Sequence, residues 1–214
     1  MEPVKLVLIN FPPSPREKED AQAIRDALSP SVPVSEPNWQ GQLSFDLPPI
    51  IELLSSIDTW SIFKNAARIS LMTFSGAFMG TLGKKAADST VEAIQNKLKR
   101  PDKHGSSLDN LATTLKLIND RNHQEVEIRI GLNASDNSYE AILSTHAKDC
   151  SKFIRDLSIF MVNAEKIDSE CRSATENNNI KSIVHFSIKL EDNGNIILHW
   201  RDDSDHHNHT KHIT

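Results

Sequence analysis

The sequence predicts an α+β fold with a C-terminal ββαββ unit built on an antiparallel sheet, and three stretches predict it. Val126, Ile128, Ile130 and Leu132 alternate with Glu125, Glu127 and Arg129, the pattern of a half-buried strand. Residues 149–172 place Phe153, Ile154, Leu157, Met161, Ala164, Ile167 and Cys171 on one helical face. Residues 183–190 and 196–200 read as two strands around Asp192-Asn193-Gly194, a turn composition. With a further strand at 139–145, strands and helices are partly segregated along the chain, as in α+β proteins.

The hairpin's register follows from its apolar residues. A two-residue Asn193-Gly194 turn would put Ile196, Leu198 and Trp200 on the face of Glu191, Lys189 and Ser187. A three-residue loop pairs Leu190 with Ile196, Ile188 with Leu198 and Phe186 with Trp200. One residue of slip exchanges the two faces, so the three-residue loop is expected, with Gly194 left-handed.

The N-terminal elements follow in order. Val4–Phe11 is apolar at successive positions, as in an interior strand covered on both faces. It lacks a basic leader and a small-residue cleavage site, so it reads as a strand and not as a signal peptide. Pro12, Pro13 and Pro15 form a loop, and 17–28 a helix with Ala21, Ile24, Ala27 and Leu28 on one face. Five of the ten prolines fall within 29–49, which predicts an irregular loop with a short edge strand at 32–34. Asp46 ahead of Pro48 and Pro49 predicts a helix over 47–57, and Asp58 or Thr59 caps the next from Trp60. The helical pattern then continues to Arg100, and Pro101 lies just beyond its basic end.

These elements give an N-terminal strand plus helical region over 1–100, a linker at 101–107, an α+β unit over 108–201 and a disordered His- and Asp-rich tail over 202–214. Lys and Arg number 24 and Asp and Glu 29, a net charge of −5, which argues against nucleic acid as a partner. Apolar residues make up 38%, enough to bury a core. Cys150 and Cys171 stand 21 positions apart on one predicted helix. At 1.5 Å per residue that is about 30 Å, too far to pair. Reduced thiols point to the cytoplasm.

The most unusual stretch is Ile69–Gly83, uncharged and flanked by Lys64, Arg68, Lys84 and Lys85. At helical spacing Thr73, Gly76, Gly80, Gly83 and Ala87 form a stripe of small side chains beside the bulky Phe74, Phe78 and Leu82. Each interior glycine costs about 1 kcal/mol against alanine, and close approach of another backbone offsets that cost. The run is too short for a spanning helix, which needs roughly 20 residues. The glycines lack the G-x-x-x-x-G-K-[ST] spacing of a phosphate loop, and no cofactor is expected.

Other candidate groups carry ordinary explanations. His206, His207, His209 and His212 have metal-binding nitrogens, but a mobile tail presets no geometry, so no metal is expected. His146 and Cys150 stand four apart where a strand passes into a helix, without a third orienting group. Glu125, Glu127 and Arg129, and His185 and His199, read as solvated strand faces. The function expected is therefore non-enzymatic: docking on a partner protein, or on a second copy, through Thr73, Gly76, Gly80, Gly83, Ala87, Phe74 and Phe78. Two alternatives stand beside it. Residues 60–83 offer Trp60, Phe63, Phe74 and Phe78 to a membrane surface next to basic residues. A hydrolase would need histidines or carboxylates that only the fold brings together.

Overall fold

The computed structural model describes residues 2–11, 14–41, 48–68, 70–71, 107–122, 124–177, 183–201 and 207–213. Their strands form one eight-stranded mixed sheet. In chain order the elements are β1 (Lys5–Ile9), α1 (Pro15–Leu28), β2 (Asn38–Gln40), β3 (Ile50–Ser55), α2 (Ile57–Ser61), α3 (Ser107–Arg121), β4 (Glu127–Asn133), β5 (Tyr139–His146), α4 (Cys150–Asn177), β6 (Val184–Leu190), β7 (Ile196–Arg201) and β8 (Asn208–Ile213). Residues 64–68 and 70–71 are also helical. The sheet order is β2-β1-β3-β4-β5-β6-β7-β8.

The class is α+β, and most elements fall where their residue patterns put them. β1 is buried on both faces between β2 and β3. Pro15 opens α1 instead of ending the loop before it, in keeping with proline's place in a first helical turn. Val34 makes only an isolated bridge to Val4, and the edge strand is β2. The hairpin pairs Leu190 with Ile196, Ile188 with Leu198 and Phe186 with Trp200, and Gly194 has φ +90°.

Four features differ from expectation. Residues 50–55 form β3 and not a helix. Ile50, Ile51, Leu53 and Leu54 are all buried, on opposite faces of a strand held between β1 and β4. The C-terminal strands are not wholly antiparallel: α4 crosses over, so that β5 and β6 run parallel. The polar residues 208–213, placed in a disordered tail, form β8 antiparallel to β7. The sheet also runs unbroken from β3 into β4, across the two regions drawn as 1–100 and 108–201. Of the linker, 101–106 lie outside the described residues, and Ser107 already belongs to α3.

Cross-strand pairing sorts the sheet's side chains into two faces. Leu6, Leu53, Ile130, Leu143, Ile188 and Leu198 form one row over six strands. This face packs with Ile24, Leu28, Leu111, Leu115, Phe153 and Phe160 of α1, α3 and α4 in a single core. The opposite face carries an apolar cluster at the β1–β3 end, formed by Val7, Ile9 and Ile50. Across β4 to β8 it is mainly polar, with Ile142 and Ile197 among the polar side chains.

Candidate functional site

Strand alternation builds the polar face. The row through Gly131 continues into Ile142, Ser187, His199 and Thr210, and the row through Glu52 into Arg129 and Ser144. Glu127 pairs with His146, and Glu140 with His185. Residues from β3, β4, β5, β6, β7 and β8 thus meet on one surface.

Arg129 lies at the carboxylate-rich end of this surface. Its Nε donates to Glu127 Oε1 at 2.8 Å, and its Nη1 lies 3.9 Å from Glu52 Oε2. The two glutamates respond in opposite ways. Burial raises Glu52's pKa, Glu140 and Glu127 add to the rise, and Arg129 only partly opposes them. Burial also works against the Glu127 anion. There the hydrogen bond and charge of Arg129, the Ser144 hydroxyl and His146 together outweigh it, and the pKa falls.

Beside this group, His185 Nδ1 lies 3.2 Å from Glu140 Oε2. The carboxylate only accepts, so the Nδ1 hydrogen donates and Nε2 is left toward solvent. His199 Nδ1 is 3.0 Å from the Thr210 hydroxyl. A shallow concavity of about 550 Å³ opens here, lined in part by Ser144, His185, Ser187, His199, Arg201 and Asn208. Among the described contacts no serine hydroxyl in it is hydrogen-bonded to an imidazole; the hydroxyl that meets one is that of Thr210.

The sequence candidates are distributed as follows. Thr73, Phe74, Gly76, Phe78, Gly80, Gly83 and Ala87 lie outside the described residues. Trp60 and Phe63, offered to lipid in the membrane reading, are buried in the core. His146 is exposed and lies 3.9 Å from Glu125. Cys171 is buried, and burial pushes its thiol pKa up, with Asp168 adding to the effect. In β8, His209 stacks on Trp200 while His212 pairs with Ile197, so alternation sends the two imidazoles to opposite faces. His206 lies outside the described residues, and among those described no three potential ligands gather around a metal position. Glu52, Glu140, Ser144, Ser187, Arg201 and Asn208 were not singled out from the sequence. Alternation alone could have placed Ser187 and Arg201, because they share parity with His185 and His199.

Comparisons with protein-family models, with curated proteins and with solved structures found no match for this chain.

Proposed function

We propose that the protein is a non-enzymatic docking module of the cytoplasm, which holds a helix of a partner protein or of a second copy against the glycine-striped stretch. One observation supports this most directly: the chain leading into the stripe is fixed to the body of the fold. Phe63 and Ala67 are buried, and Lys64 Nζ pairs with Glu165 of α4 at 2.7 Å. On the helical spacing expected from the sequence, the stripe carries three glycines whose cost a closely packed backbone would offset. Among the described residues, no helix is long and apolar enough to cross a membrane. Cys150 and Cys171 lie on the single helix α4, too far apart to pair, in keeping with a reducing compartment.

The test is Gly76→Leu in the full-length chain, followed by native mass spectrometry and by pull-down from the source cells. Loss of a complex that the wild type forms supports the proposal. An unchanged oligomer and an unchanged set of partners would sink it.

A second reading, hydrolysis, is favoured by the Glu140–His185 pair at the edge of the concavity, since an acid-oriented imidazole is the core of a general base. His185→Gln should then abolish turnover of an ester such as p-nitrophenyl acetate. Equal background rates in both proteins would remove this reading.

A further inference from the structure

The lining of the concavity is biased in a way that the chain as a whole is not. The protein carries five more carboxylates than Lys and Arg together. Yet its described lining includes Arg129, Arg201, His185, His199 and His209, and no Asp or Glu stands among the described lining residues. Arg129 is already engaged by Glu127 and Glu52. Arg201 is exposed at the end of β7 and has no ion-pair partner among the described residues. Ser187 and His199 are directly paired across β6 and β7, and Asn208 is directly paired with Arg201 across β7 and β8. Guanidinium, hydroxyl, amide and imidazole groups therefore border one hollow together with the apolar Ile142, Phe186 and Trp200, on the last of which the His209 ring is stacked.

We propose that this concavity is a binding site for a small oxyanion of the phosphate or carboxylate type. An oxyanion offers several acceptor lone pairs and no positive charge, which matches the guanidinium, hydroxyl and amide donors set among these apolar side chains. Arg201 supplies the planar guanidinium that suits either anion, and Ser187 and Asn208 supply neutral donors. His199 turns Nδ1 to Thr210 and so keeps Nε2 for the ligand. Glu140, paired with His185 across β5 and β6, meets its Nδ1 at 3.2 Å and orients that ring. The site is open to water, so the binding is modest, at about 1 mM or tighter. It shares no residue with the glycine stripe and stands or falls without the docking reading.

The experiment follows amide shifts of the ¹⁵N-labelled full-length protein during titration with sodium phosphate and with sodium succinate. Sodium chloride at matched ionic strength is the reference. Saturable shifts confined to residues 185–187, 199–201 and 208–210 are expected with at least one oxyanion, and which one saturates names the ligand type. Shifts that stay linear and equal those of chloride overturn the site. Arg201→Gln should weaken binding about tenfold, as expected for one charge-assisted hydrogen bond. Lys211→Gln removes a cation that pairs with Glu170 of α4, away from the concavity, and should leave binding unchanged. Equal weakening by the two variants, or none by Arg201→Gln, also overturns the proposal. Unshifted amides elsewhere in the spectrum establish that each variant is folded.

Discussion

The indole Nε1 of Trp60 donates to the carbonyl oxygen of Gly131 at 2.9 Å, joining residues 71 positions apart. Trp60 belongs to α2, just after β3, and Gly131 lies in β4 opposite Leu54. The bond therefore locks the turn out of β3 onto the strand beside it. Glycine is required at 131 by close approach: a Cβ there would meet Leu54 Cδ2 at 2.5 Å and the Ala141 carbonyl oxygen at 3.0 Å. Phe160 of α4 meets the Trp60 ring edge-on at a centroid distance of 6.5 Å, which ties the same residue to the helical layer.

Trp60→Phe keeps a ring in the core and removes the donor. The Gly131 carbonyl would then be buried without that partner, at a cost of about 1–3 kcal/mol. Urea unfolding followed by circular dichroism should show a lower midpoint with an unchanged slope. An unchanged midpoint would mean that the carbonyl finds another donor.

The hairpin at Gly194 gives a different kind of prediction, because nothing lies within 4 Å of a Cβ placed there. Any cost of Gly194→Ala comes from the backbone at φ +90° and not from crowding. About 1 kcal/mol is expected. Gly194→Asn, which tolerates the left-handed region better, should recover part of it. If alanine and asparagine cost the same, the turn does not depend on this conformation.

These two glycines also show what could and could not be read in the sequence. Gly194 was legible because Asp192-Asn193-Gly194 stands between apolar runs whose alternation fixes the register. Gly131 was not, since the close packing at that point depends on Leu54 and Ala141, brought there by strand pairing. β3 was misread because Ile50, Ile51, Leu53 and Leu54 are apolar on both faces, and a buried strand then shows no period of two. Asp46 and the two prolines supplied a false helix start. β8 was missed for the opposite reason, being almost wholly polar. Its main chain pairs with β7, Ile213 fills the core, and Lys211 reaches Glu170. On the open face, the alternation made Glu127 and Arg129 legible as a polar pair. Glu52 is not legible there, because the stretch 47–57 that carries it reads as a helix.

Because β8 is a strand and not a tail, Ile213 bears on stability. It is 4% exposed and pairs with Ile196. Ile213→Ala should cost about 2 kcal/mol or more, as for other buried isoleucines. A substitution in a disordered tail would stay within about 0.5 kcal/mol. Thermal unfolding of the two proteins separates these cases, and a melting temperature within error of wild type would return residues 208–213 to a disordered tail.

Glu52 and Glu127 share Arg129 and differ in how they hold a proton. Glu52 has a raised pKa in the folded protein, first through burial and then through Glu140, so the folded state holds its proton more tightly than the unfolded chain does. Its contribution to stability is complete below the unfolded carboxylate range, about 4.3, and is lost as pH rises through the folded value. Glu127 is lowered, because Arg129, Ser144 and His146 outweigh its burial, and the sign reverses. Its contribution is present above that range and is lost as pH falls through the depressed value. Glu52→Gln should therefore melt above wild type at pH 7.5, and the gain should vanish by about pH 4. Glu127→Gln should melt below wild type at pH 7.5, with a deficit that closes only in stronger acid. Melting curves from pH 3 to pH 8 decide the matter. Two variants displaced in the same direction at every pH would show that Arg129 does not distinguish its two carboxylates.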